Sequence, residues 1–155
     1  MTETQAVQQA VQPPIVTIGQ AVGQAEAVLT KLLARVLAET GTSRQDYLAM
    51  QRLTALGGSA SRADYLTDLS NSLDLDLWAA GELADSLSES GLLEQEAGSV
   101  RFGAAGEALR GQIATASGAV TRSLVAPVDP ADVATTIRTL SQLTTRARGF
   151  LSAEG

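Results

Sequence analysis

Residues 83–103 read Leu83-Ala84-Asp85-Ser86-Leu87-Ser88-Glu89-Ser90-Gly91-Leu92-Leu93-Glu94-Gln95-Glu96-Ala97-Gly98-Ser99-Val100-Arg101-Phe102-Gly103. Together with Leu77 and Ala80 just upstream, Leu83, Ala84 and Leu87 recur at steps of three and four, the spacing of one buried helix face. Gly91 closes that helix, because glycine accepts the left-handed backbone that commonly follows a helix. Two strand-like runs follow at 92–96 and 99–102, joined across Ala97-Gly98, and these predict a tight β-hairpin. A helix passing directly into a two-stranded hairpin is the feature around which the remaining elements are ordered.

Working toward the N-terminus, Ser70-Asn71-Ser72 is rich in turn formers. Leu73, Leu75 and Leu77 alternate with Asp74 and Asp76 over a stretch flanked by helix signals. We assign a turn there, with the next helix running from about 76 to 90. Before it, Ser61-Arg62-Ala63-Asp64 is a capping box that opens a short helix through Leu66 and Leu69. Ser43-Arg44-Gln45-Asp46 is another, opening a helix through Tyr47, Met50, Leu53 and Leu56 that Gly57-Gly58 stops; a short strand can follow near residue 60. Ile18, Val22, Ala25, Leu29, Leu32, Leu33, Val36 and Leu37 mark a long amphipathic helix over 15–40, ended by Gly41. Residues 1–14 are Gln-rich, end in Pro13-Pro14 and read as an arm.

Toward the C-terminus, Gly103-Ala104-Ala105-Gly106 leads into a helix from Glu107 that extends as far as Val125. Asp129-Pro130 is a helix start with an N-cap acid and proline at the first helical position. The last helix carries Val133, Ile137, Leu140, Leu143 and Phe150.

Composition narrows the chemistry. The chain has 155 residues, 45% hydrophobic and 18% charged, with a net charge of −6. That is the composition of a globular domain able to bury its own core. It contains no Cys and no His, which excludes disulfides, thiol redox control, imidazole bases and most zinc sites. Asp74 and Asp76 stand two apart and diverge, and Glu82, Asp85 and Glu89 share a convex face rather than a pocket, so no catalytic residue, metal or cofactor is assigned and the chain is not read as an enzyme. No apolar run is long enough to span a membrane and no signal peptide is evident, so a cytoplasmic protein is expected.

The order of elements is long helix, helix, short helix, helix, β-hairpin, long helix, helix. It predicts a mostly α (α+β) fold, a winged helix-turn-helix domain at 43–106 with terminal helices at 15–40 and 107–152. At Tyr47-Leu48-Ala49-Met50-Gln51-Arg52-Leu53, at Leu83 to Gly91-Leu92-Leu93, and at Val100-Arg101-Phe102-Gly103 with Gly106, the chain resembles the MarR family of bacterial transcription regulators, over roughly residues 18–150. The resemblance implies a homodimer interlocked through its first and last two helices. It also implies duplex DNA as partner and a small aromatic or phenolic ligand that releases it, the behaviour of a small-molecule-responsive repressor. The sequence supports dimerisation independently, because three short core helices cannot cover every apolar stripe on the terminal helices.

Charge departs from the family pattern. Residues 61–96 hold nine acids (Asp64, Asp68, Asp74, Asp76, Glu82, Asp85, Glu89, Glu94 and Glu96) against Arg62 alone. This stretch is therefore −8, and the rest of the chain sums to +2. On the helix before the hairpin, Trp78, Glu82, Asp85, Ser86 and Glu89 lie opposite the apolar stripe, on the side a DNA reader turns to the major groove. Trp78 beside a helix start reads first as partly buried core. The candidate DNA contacts are Arg62 at a helix N-terminus, Arg101 on the hairpin, and Arg44 and Arg52 on the preceding helix, with Arg62 favoured because helix N-termini attract phosphate. Tyr47, Tyr65 and Arg52 are the candidate ligand contacts. The alternative is a dimer of the same fold that has lost ordinary DNA binding and uses its acidic face to meet a basic protein, or only binds a ligand. The close spacing of Glu82, Asp85 and Glu89 further predicts mutual repulsion, so that neutralising all three stabilises the fold slightly.

Overall fold

The computed structural model describes residues 14–153. The elements in order are α1 (Pro14–Glu39), α2 (Arg44–Ala55), β1 (Ser59–Ser61), α3 (Arg62–Leu73), α4 (Leu77–Glu89), β2 (Leu93–Glu96), β3 (Ser99–Phe102), α5 (Ala104–Val125) and α6 (Pro130–Ser152). The predicted arm at 1–14 lies outside the described residues except for Pro14, which opens α1, a position where proline's missing N–H costs nothing. The contacts divide the chain into two compact units, one ending at Glu107 and one beginning at Ala108. α1 falls within the first of these units.

Local chemistry sets most boundaries. The hydroxyls of Ser43 and Ser61 accept the N–H of Asp46 and Asp64 at 3.0 and 3.1 Å, the N-cap half of each predicted capping box. Asp76 caps α4 through the N–H of Ala79 at 2.7 Å, and Asp129 caps α6 through Ala131 at 2.8 Å. One predicted turn is shorter than its sequence signals suggest. Ser70-Asn71-Ser72 form the last turn of α3, and the break falls at Asp74, in the left-handed conformation with φ 54°. The reason lies in the apolar spacing: Leu69 is buried and Leu73, four residues on, is half-buried, so the helical face continues through the polar residues. Ser70 uses its hydroxyl from inside the helix, donating to the Leu75 carbonyl at 2.6 Å. The last long helix of the prediction also starts earlier than expected, at Ala104 rather than Glu107.

The first unit builds its core from Val36 and Leu37 of α1, Ala49, Met50 and Leu53 of α2, Tyr65 and Leu69 of α3, Ala80, Leu83, Ala84 and Leu87 of α4, and Leu93, Val100 and Phe102 of the sheet. α3 packs against α2 and α4, and α4 against β2. β3 is the central strand of a three-stranded antiparallel sheet in the order β1-β3-β2. Ala60 pairs with Val100, and Gln95 with Val100 on the other side. The hairpin turns across Ala97 and Gly98, both at positive φ (51° and 77°), the two-residue turn whose twist matches that of the strands.

In the second unit, α5 from Ala108 onward buries Ile113, and α6 has no buried residue. Ile137, Leu140 and Leu143 recur at helical spacing along α6 and are all exposed, as are Phe150 and Leu151.

Two glycines fix how the start of α5 meets the turn after α4. A Cβ on Gly103 would lie 2.5 Å from the Gly91 carbonyl oxygen, and one on Gly106 only 2.0 Å from that of Leu92. Both contacts are with backbone, which cannot rotate away. Gly106→Ala is therefore expected to cost about 1–3 kcal/mol or more, read as a lower urea midpoint. Gly111→Ala, later in the same helix with no heavy atom within 4 Å, should hold or gain stability, up to about 1 kcal/mol. Equal midpoints for Gly106→Ala and wild type would contradict the close approach.

Candidate nucleic-acid interface

α4 turns the predicted face to solvent. Trp78, Glu82, Asp85, Ser86 and Glu89 are all exposed, and no arginine or lysine stands on the helix. Trp78 is 74% exposed, which overturns the expectation of a partly buried core residue. The reason is its place on the solvent side of α4, one turn before Glu82 on the same face and opposite Ala80, Leu83, Ala84 and Leu87. Leu77, assigned from the sequence to that apolar face, is likewise 59% exposed. Among the described residues, Glu82, Asp85 and Glu89 do not converge on a point that could hold a metal ion.

The arginines expected to meet phosphate are mostly occupied by acids of the same unit. Arg62 opens α3, and its backbone N–H donates to the Gly98 carbonyl at the hairpin tip, 2.8 Å away. Its guanidinium reaches back over Gly81 of α4. There it donates to the two carboxylate oxygens of Asp85 at 2.9 and 3.5 Å and to the side-chain oxygen of Gln95 on β2. Gln95 is itself held, donating through Nε2 to Ser88 Oγ at 2.7 Å and to Asp85 Oδ1 at 3.0 Å. These bonds hold the Asp85 carboxyl below the usual carboxylate range, the Gln95 amide acting most strongly and Arg62 next. The expected repulsion among Glu82, Asp85 and Glu89 is corrected accordingly, since Asp85 is satisfied within the fold and neutralising it removes an attraction as well as a charge.

Arg101 on β3 is paired with Glu94 at 2.8 Å across the hairpin and lies 3.7 Å from Glu96. Glu94 and Arg101 are register partners on β2 and β3, so a cross-strand pair of opposite charge follows from the pairing. Arg52, a candidate for both DNA and ligand, is consumed in a two-pronged pair with Asp68 of α3 at 2.7 and 2.9 Å. The hydrogen bond raises the Arg52 pKa further and lowers that of Asp68. Arg44 is exposed at the start of α2 and makes no ion pair among the described residues. Tyr65 is fully buried and donates its hydroxyl to the Ala49 carbonyl at 2.9 Å, so it belongs to the core rather than to a ligand contact. Burial, with the nearby Asp68 charge, raises its pKa. Tyr47 stays half-buried, its hydroxyl accepting from Gln51 Nε2 at 2.7 Å.

Two participants escaped the sequence reading. Asp68 was counted only as one of nine acids, and Gln95 was not singled out at all. An Arg and an Asp sixteen residues apart carry no local signature, and a lone glutamine on a strand carries none either.

The chain matches no protein-family model and no curated protein. Its likeness to solved structures is extensive. A MarR family protein from Bacillus stearothermophilus superposes with a TM-score of 0.75 at 15% identity, covering 87% of this chain and 96% of that one. Wild-type MarR from E. coli in its apo form gives 0.63 at 17% identity, over 81% and 94% of the two chains. NadR in complex with 4-hydroxyphenylacetate gives 0.67 at 17% identity, over 86% and 98%. The fold is that of the MarR winged-helix proteins, and α4 occupies the place of the helix before the wing.

The Arg52–Asp68 pair gives stability a defined pH dependence. The Arg52 guanidinium holds the Asp68 carboxyl below the ordinary aspartate range in the folded chain. Its contribution is therefore complete above about pH 4 and is lost as pH falls through the lower, folded value. With Arg52 and Asp68 partly open to solvent, at 38% and 20% side-chain exposure, Asp68→Asn is expected to cost about 1 kcal/mol at neutral pH. The difference between Asp68→Asn and wild type should shrink toward zero on titration below pH 4, in thermal melts across the pH range. A constant difference would mean that the loss is one of packing rather than charge.

Proposed function

We propose that the chain is a homodimeric, small-molecule-responsive transcriptional repressor whose winged unit meets duplex DNA weakly. The observation that carries this reading is a MarR-type winged unit accompanied by a C-terminal helix without a single buried residue. Ile137, Leu140 and Leu143 left in water along one side of α6 form the kind of apolar stripe that marks an interface. A second copy supplies a matching surface by two-fold symmetry. Val22, Val28 and Leu29 of α1 and Leu124, Val125 and Val128 around the end of α5 are exposed apolar residues of the same kind. Sedimentation equilibrium at micromolar concentration should give a dimer, and Ile137→Glu with Leu140→Glu a folded monomer. A monomeric wild type would remove the dimer from this reading. The ligand of NadR, 4-hydroxyphenylacetate, suggests a small aromatic acid as effector class, and Tyr47 is the candidate contact that retains access to solvent.

Charge sets the expected strength of DNA binding. With Arg62, Arg101 and Arg52 paired to acids, Arg44 is the one of the four candidate DNA contacts left for phosphate. Each neutralised phosphate contributes about −0.9 to the slope of log affinity against log salt. A dimer using one arginine per protomer should therefore show a slope of about −2, measured by fluorescence anisotropy on a random duplex. A slope of about −7, the value for eight phosphates, would mean that DNA meets a different surface.

A second reading is favoured by the α4 face itself, which presents Glu82, Asp85 and Glu89 with the exposed Trp78 and no cation. In it, the same fold meets a basic protein instead of a duplex. A folded dimer that ignores duplex at low salt but binds polylysine, and loses that binding in Glu82→Gln with Glu89→Gln, would decide for this alternative.

A further inference from the structure

We propose that Asp85 is an internal competitor for the Arg62 guanidinium, occupying the place that a phosphate oxyanion would take and so keeping this arginine from polyanions until one displaces it. The inference rests on the reading of the winged unit as a DNA-binding surface and adds to it a device that limits binding. Three observations carry it. The carboxylate faces the guanidinium with both oxygens, at 2.9 and 3.5 Å, much as a phosphate would present two of its own. The pair is also open to solvent, with side-chain exposures of 34% for Arg62 and 55% for Asp85, so an incoming anion can reach it.

The third observation is that Arg62 does not depend on Asp85 for its position. Its backbone N–H is tied to Gly98, Ser61 caps the helix it opens, and the guanidinium Nη1 that donates to Asp85 also donates to the side-chain oxygen of Gln95. Gln95 in turn keeps Ser88 Oγ as partner without Asp85. Removing the carboxylate therefore leaves a cation already placed between the start of α3, α4 and the hairpin. Glu82 is the matched control. It lies one turn earlier on the exposed face of α4, carries the same charge and makes no ion pair among the described residues.

Asp85→Ala and Glu82→Ala should both bind a random duplex more tightly than wild type, since each removes one negative charge. Only Asp85→Ala should steepen the salt slope, by about 0.9 per protomer. That corresponds to about 3.5-fold more affinity lost per freed arginine between 50 and 200 mM salt. Adding Arg62→Gln to Asp85→Ala should return the slope to its wild-type value. Equal slopes in Asp85→Ala and Glu82→Ala would overturn the competition and leave only general repulsion. A second arm titrates inorganic phosphate and follows the Arg62 Nε–H signal by nitrogen-15 NMR. It should move saturably in Asp85→Ala at phosphate concentrations that leave it still in wild type and Glu82→Ala. Response to phosphate with no binding of any duplex would refute the DNA reading while keeping the competition. An Arg62 signal unmoved by phosphate in Asp85→Ala would overturn the competition whatever the duplex does.

Discussion

Arg62 joins three elements that are far apart in the chain. Its backbone is bonded to the hairpin tip at Gly98, and its guanidinium to Asp85 on α4 and Gln95 on β2. These bonds add direction to the junction of the hairpin with the exposed face of α4, because the shared apolar core beneath is non-directional and hydrogen bonds to a rigid planar fork are not. The hydrophobic contacts of Leu83, Leu87, Leu93 and Val100 bring the helix and the sheet together. The arginine and the glutamine then tie the start of α3, α4 and β2 together at the surface.

The same geometry shapes the electrostatics of the surface. A segment carrying −8 would ordinarily repel itself, yet four of its acids face arginines: Asp68 with Arg52, Asp85 with Arg62, and Glu94 and Glu96 with Arg101. The pairing relieves part of the repulsion and, by the same act, leaves fewer unpaired cations on the surface. The outcome is a MarR-type fold whose helix before the wing displays carboxylates and a tryptophan where a strong DNA reader displays Arg and Lys.

The candidate interface was legible in part. The five exposed residues of α4 follow from helical periodicity, a relation between near neighbours, and the structure turns all of them outward. Arg62 was recognised for its place at a helix N-terminus, but its partners lie 23 and 33 residues away, beyond any local pattern. Arg52 and Tyr65 were read as ligand contacts from their chemistry. Burial and the carbonyl of Ala49 claim Tyr65, and Asp68 claims Arg52. Trp78 misled in the opposite direction, since a large aromatic group suggests burial and the residue stands in water.

Caps, glycine stops and the hairpin turn were readable without coordinates because each is a bond or a backbone constraint among residues a few positions apart. Ser43 with Asp46, Asp129 with Ala131, and Ala97 with Gly98 are of this kind. The winged order of elements follows from them, as does the amphipathic character of the terminal helices. Polar residues at 70–72 failed as a turn signal because a local preference for turns yielded to apolar spacing carried by Leu69 and Leu73. Which acid meets which arginine, how near Gly106 comes to the Leu92 carbonyl, and where the boundary between the two units falls were decided only in three dimensions. These depend on distances between residues that the chain itself keeps far apart, and only the packing of the core brings such residues within the few ångströms over which hydrogen bonds and steric contacts act.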